Sequence, residues 1–341
     1  MNIHRKARRW CAGLVAASWG FWASAAEPRE ILNVSFDISR ELYEEINRSF
    51  VAHHAQTTGR RVAVRQSHGG STRQARAVLD GLRADVVTLN QITDVEALVD
   101  RGGLISADWR NRWPHGSVPY ASTIVFLVRK GNPRGIRDWD DLARAGLQVI
   151  VPNPKTSGNG RYSYLAAYAH ALRRLGLDEA GARDFVARIF ANVPILDTGG
   201  RGATATFVQR EIGDVLLTFE AEVHLTLREL GGARVDMVRP CTSVLAEMPV
   251  ALVEGVVARK GTERLARAYL EYLFSEPAQE IMARHFYRPS DAGVRQRHAA
   301  SFGEMELFRV EDALGPWSKV NATHFGSGGI FDSIYERHRR P

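Results

Sequence analysis

The chain has 341 residues, 45% hydrophobic and 24% charged, with 45 basic and 38 acidic side chains and a formal net charge of +7. That length and apolar content exclude a disordered or fibrous chain and favour two domains of about 100 to 200 residues each. No basic run with interleaved aromatics marks a nucleic-acid surface, and after the first 26 residues no stretch is long and apolar enough to span a bilayer.

Those 26 residues precede any fold. Arg5, Lys6, Arg8 and Arg9 form a basic start, Trp10 to Trp22 an apolar run without charges, and Ala23-Ser24-Ala25 the small residues of a cleavage site. This is the pattern of a secretory signal peptide, residues 1–26, and places the mature protein in the periplasm. Cys11 leaves with it, so Cys241 is the only cysteine of the mature chain and no internal disulfide forms. The four basic residues leave too, so 41 basic side chains face 38 acidic ones.

Beyond the leader, short β-rich runs alternate with helical patterns. Leu32 to Phe36 reads as a strand and Arg40 to His53 as a helix. Arg61 to Gln66 is the next strand, Arg73 to Leu82 a helix and Ala84 to Leu89 a strand. Thr123 to Val128 is a β-branched run closed by Lys130-Gly131-Asn132-Pro133, and Trp139 to Arg144 begins a helix. The strand Gln148 to Val151, the long helix Tyr162 to Leu175 and the strand Val193 to Leu196 follow, then the helix Thr204 to Arg210 and the strand Asp214 to Phe219. Met248 to Val257 is again β-like, and Thr262 to Phe274 has strong amphipathic helical spacing. Alternation of this kind predicts mostly parallel sheets covered by helices, an α/β fold of two lobes. The expected division is 27–118 for the first lobe, 119–243 for the second, and 244–341 for a return to the first lobe plus a C-terminal tail.

The chemistry lies where strands give way to helices. Four junctions share one design, small or polar residues ahead of a helix start: Asp37-Ile38-Ser39-Arg40, Ser67-His68-Gly69-Gly70-Ser71, Thr156-Ser157-Gly158-Asn159-Gly160 and Thr198-Gly199-Gly200-Arg201-Gly202. Free N–H groups of a first helical turn and the positive end of the helix dipole make each a potential anion site. Singly, each is as well explained by capping and turn formation. Gly200-Arg201-Gly202-Ala203-Thr204-Ala205 also satisfies the G-x-G-x-x-A spacing of a dinucleotide-binding oxidoreductase, a competing reading that the export signal opposes. No H-E-x-x-H or G-x-S-x-G supports a hydrolase. No catalytic residue, metal site or cofactor is expected.

Several segments together carry a more specific signal. Leu32 to Asp37, Arg65-Gln66-Ser67-His68-Gly69-Gly70-Ser71, Ala84 to Leu89, Ser122 to Pro133, Pro152-Asn153-Pro154-Lys155-Thr156-Ser157-Gly158, Ile212 to Leu216, Tyr287-Arg288-Pro289 and the tail from Trp317 to Asp332 resemble, in order, the periplasmic sulfate-binding proteins. The resemblance implies a two-lobed type II periplasmic-binding fold that closes over a dehydrated dianion, sulfate or thiosulfate. The protein would act as a monomer, delivering the anion to the permease subunits of an ABC importer, with no nucleic-acid partner. A receptor of the same fold serving another tetrahedral oxyanion, or feeding a sensor, is the alternative. Carried over by position, the backbone donors would be Asp37, Ser71, Gly158, Asn159 and Gly200, and Ser157 would offer its hydroxyl. Arg201 would brace backbone groups, and His68 would line the loop without touching the ligand. The Asp37 carboxylate is expected to point away from the anion or to cap its own helix.

A pocket of neutral donors suits sulfate, which only accepts hydrogen bonds, and penalises phosphate, whose proton would be buried unpaired. Such donors do not titrate near neutral pH, so binding is expected to be nearly flat between about pH 5 and 8. Three departures from the resemblance stand out: Phe219 where an indole donor is expected, the loop Ser157-Gly158-Asn159-Gly160 in place of a serine with paired glycines and an alanine, and Gly200 where alanine is usual. Phe219 leaves one ligand oxygen short of a donor, so the pocket is expected either to admit a water or to suit an anion with a less demanding atom, thiosulfate being the natural candidate.

Overall fold

The computed structural model describes residues 29–230 and 232–339; the proposed signal peptide lies outside them. Strands β1 (Glu30–Phe36), β2 (Ala63–Gly69) and β3 (Val86–Thr88) are linked by helices, with Arg40–Thr58 between the first two and Ser71–Leu79 between the second and third. They run parallel with β1 in the centre. Parallel neighbours require such crossovers, and the crossovers put every strand's carboxyl end on one edge of the sheet.

The chain then passes through β4 (Tyr120–Ser122) into a second sheet built from β5 (Ile124–Arg129), β6 (Val149–Pro152), β7 (Leu196–Asp197), β8 (Val215–Phe219) and β9 (Val235–Val238), in the order β7-β6-β8-β5-β9. Here β6 is parallel to β7 and β8, whereas β5 is antiparallel to β8 and β9, so the sheet is mixed. Both faces are covered. Val125, Leu127, Ile150 and Leu216 pack with Ala203 and Phe207 of the helix Gly200–Val208 and with Val223 of the helix Glu220–Glu229. Ile124, Phe126, Val149, Val151 and Leu217 turn the other way into the large core, which includes the helix Gly158–Arg173. Burial on two faces is why these strands read as near-continuous apolar runs.

After β10 (Thr242–Val244) and β11 (Ala246–Met248), β12 (Val250–Leu252) runs antiparallel beside β3, so the chain re-enters the first sheet. β11 and β13 (Arg288–Pro289) flank β4 in a small antiparallel sheet. Both crossings between the larger sheets, β4 to β5 and β11 to β12, start from it. The parallel partner of β10 is β14 (Glu306–Phe308). The tail beyond it packs on the second lobe: Phe331 meets Phe190 edge-on at 5.3 Å, and Lys155 Nζ pairs with Asp332 at 2.7 Å.

Some boundaries differ from the sequence reading. Of Met248 to Val257, only Val250–Leu252 continues as a strand after β11, because Glu254–Lys260 turns helical and ends on Gly261 at a φ of 68°. The strand expected at 193–196 is the two-residue edge Leu196–Asp197. Both glycine-rich helices begin four residues earlier than their apolar spacing indicates, at Gly158 and Gly200. Among the described residues no helix is long and apolar enough to cross a membrane.

Candidate functional site

The four junctions meet in one place. A Cβ on Gly70, which precedes the helix Ser71–Leu79, would stand 2.6 Å from Thr156 O and 2.8 Å from Thr198 O, carbonyls of two loops of the other lobe. One on Gly199 would lie 2.4 Å from Asp37 Oδ2 and 3.7 Å from Gly70 Cα. One on Gly200 would press on Ile38 Cδ1 at 2.3 Å, and one on Gly158 on Asn90 Oδ1 at 2.0 Å. Glycine is thus used here for close approach of one lobe's backbone to the other. Helices starting at Ser71, Gly158 and Gly200, and the 3-10 turn Asp37–Ser39 that opens the helix Arg40–Thr58, converge on the gap. None of their N-cap residues caps through its side chain. The first-turn N–H groups have no carbonyl four residues back, so they present a cluster of neutral donors.

Charged side chains around this cluster are already engaged. The Asp37 carboxylate accepts from its own helix start, Ile38 N at 3.1 Å, and from the opposite lobe, Arg201 N at 3.1 Å. Rather than pointing away from the gap, it reaches across and latches the two lobes. Burial raises its pKa, with the Arg201 N–H and guanidinium pulling the other way. Arg201 was expected to brace backbone groups. Instead its guanidinium pairs with carboxylates, Glu41 Oε2 at 2.7 Å and Glu222 Oε2 at 3.5 Å, because Glu41 lies one helical turn beyond Asp37 and faces the same gap. Glu222 is buried, and burial pushes its carboxyl up to about 7 while the Arg201 charge pulls the other way.

Ser71 turns its hydroxyl away from the gap, donating to Asp94 Oδ2 at 2.6 Å, and accepts from Asn90 N at 3.2 Å. Asp94 in turn lies 3.8 Å from the buried guanidinium of Arg161. Only the backbone N–H of Ser71 is left for a ligand. Ser157 is different. Its side chain is 2% exposed, sits at an N-cap position, and makes no hydrogen bond among the described residues. The hydroxyl is available to a ligand.

His68 belongs to β2, with Nδ1 3.3 Å from Phe36 O, and burial lowers its pKa. Phe219 is fully buried at the end of β8, edge-on to Phe36 at 6.4 Å and tilted against Tyr162 at 6.2 Å. Asn159 sends its side chain to Thr218 Oγ1, 2.9 Å away. Sequence reasoning missed Asn90 and Gln91, which close the wall opposite Gly158: Gln91 Nε2 donates to Gly158 O at 3.3 Å, and Asn90 Oδ1 is buried without a partner. A polar Asn-Gln pair directly after an apolar strand was the available signal.

Comparison with known proteins places this arrangement. A profile of bacterial extracellular solute-binding proteins matches residues 12–288. The chain belongs to that family. A thiosulfate-binding protein from Pseudomonas aeruginosa is 47% identical over 96% of this chain and 98% of its own. A sulfate-binding protein from Escherichia coli K12 is 49% identical over 92% and 94%. Among solved structures, the sulfate-binding protein SubI from Mycobacterium tuberculosis H37Rv superimposes with a TM-score of 0.79 at 33% identity, covering 87% of this chain and 99% of that one. In this solute-binding protein the two-lobed type II fold gives the G-x-G-x-x-A segment another use. Its first glycine, Gly200, packs against Ile38 of the other lobe, and Gly199 just before it against Asp37, where a dinucleotide would need open space.

Proposed function

We propose that the chain is a periplasmic receptor that captures sulfate or thiosulfate and hands it to the permease subunits of an ABC importer. The observation carrying this reading is the convergence of four helix starts from two lobes on one gap, with the Arg201 guanidinium paired to Glu41 and Glu222 and the Asp37 carboxylate held by backbone N–H groups. In that reading Asp37, Ser71, Gly158, Asn159 and Gly200 donate through backbone N–H groups and Ser157 through its hydroxyl. His68, Arg201 and Phe219 form the surroundings. A dianion held this way receives several charge-assisted hydrogen bonds without a counter-charge, and a protonated anion finds no acceptor for its proton. The relatives named for sulfate and thiosulfate support this class of ligand.

Residues 27–118 and the return from 244 form one lobe in this account and 119–243 the other, a reading supported by the two larger sheets, with β1, β2, β3 and β12 in one and β5 to β9 in the other, while the C-terminal tail packs on the second lobe. Residues 1–26 direct export. Proteoliposomes carrying the cognate permease and ATPase test the role. Labelled sulfate or thiosulfate should accumulate only when ATP is inside and the mature protein outside, and accumulation indifferent to the protein would refute it.

A further inference from the structure

Asn159 is 1% exposed, and its side-chain amide carries two N–H bonds. One donates to Thr218 Oγ1 at 2.9 Å, which fixes the amide's orientation. The other meets no protein acceptor among the described residues, although buried amide protons are rarely left so. Its surroundings locate it. Nδ2 would lie 3.0 Å from a Cβ on Gly200, so it borders a helix start that the proposed site uses, and Thr218 directly precedes Phe219.

Gly200, having no side chain, leaves the amide its room. An alanine there would crowd Nδ2 as well as Ile38. Asn159 and Gly200, two positions at which the chain departs from the sulfate-binding resemblance, are therefore neighbours, and Gly200 keeps open the space in which the amide borders that helix start.

We propose that the Asn159 side-chain amide is itself a ligand donor, serving the anion beside the helix start at Gly200, and that it sets the preference between sulfate and thiosulfate. This rests on the oxyanion reading above. A fixed N–H rewards a hard oxygen acceptor, whereas the terminal sulfur of thiosulfate accepts weakly and gains little from it.

The test is calorimetry of the mature chain with sulfate and with thiosulfate. Asn159→Ala keeps the backbone N–H and removes the amide. It should weaken sulfate binding about ten- to a hundredfold and thiosulfate binding distinctly less. Independently of any variant's folding, the Asn159 side-chain protons of the 15N-labelled native protein should split further apart on sulfate binding as one is drawn downfield. Native binding unmoved by Asn159→Ala, or side-chain protons unmoved by sulfate, overturns this proposal alone. Native protein that binds neither anion overturns the oxyanion reading and this proposal with it.

Discussion

Gly70→Ala should cripple ligand binding while leaving the ligand-free protein as stable as before. Gly70 has φ −56° and ψ 134°, a conformation alanine adopts without strain, so within its own lobe the extra methyl costs nothing. In the unfolded chain it restricts the backbone, which stabilises the fold by about 0.4 to 1 kcal/mol. The penalty falls on the contact between lobes. There the methyl would stand 2.6 and 2.8 Å from the carbonyl oxygens of Thr156 and Thr198, well inside ordinary van der Waals contact. Those are backbone atoms, tied further by the bond from Thr156 Oγ1 to Thr198 O at 3.0 Å, so no rotamer relieves the clash. Overpacking against rigid neighbours costs roughly 1 to 3 kcal/mol, which corresponds to about a fivefold to 150-fold loss of affinity. Calorimetry gives the affinity, thermal unfolding without ligand gives the stability, and X-ray scattering at saturating ligand reports closure. An affinity within twofold of native, or a ligand-free melting temperature that falls in step with affinity, would refute the argument that Gly70 acts on closure.

Ser157→Ala should weaken anion binding by roughly 1 to 3 kcal/mol in calorimetry with almost no change in ligand-free melting, because the hydroxyl caps nothing. His68→Ala should cost less affinity, and the reverse order would move the site. Glu222, raised by burial to about 7, costs stability when ionised. The folded state holds its proton longer than the unfolded one, so the cost is absent below the ordinary carboxyl value, grows from there to pH 7, and is complete above. The anion-saturated native protein should therefore lose stability relative to Glu222→Gln as pH rises across that window, by on the order of 3 kcal/mol, read from paired unfolding curves. Parallel curves for the two proteins would contradict the assignment. Because the proposed donors do not titrate, sulfate affinity should change less than tenfold between about pH 5 and 8; a steeper profile would place an ionisable ligand in the gap.

The strands were legible because β5, β6 and β8 are buried on both faces and therefore rich in Val, Ile and Leu. The helix starts were legible as junctions but misplaced. Gly158 and Gly200 read as loop residues, since glycine is a poor helix former, yet a first turn that must approach the opposite lobe excludes a Cβ. What pairs with what across the gap had no local signature. Asp37 reaches Arg201 over 164 positions, and the coupling of Asn159 to Thr218 spans 59. A period-based reading sees neither. The same limit hid the helix Glu254–Lys260, whose Val256 and Val257 look β-like until their burial is known.

The central claim is that neutral donors at converging helix starts select a fully ionised tetrahedral dianion. It is tested most directly by competition calorimetry on ligand-stripped mature protein with sulfate, thiosulfate, selenate, molybdate, tungstate and phosphate. The account predicts tight binding of sulfate or thiosulfate and rejection of phosphate near neutral pH by several kcal/mol, the cost of burying one unpaired proton. Tight binding of phosphate, or of none of the six anions, would contradict it.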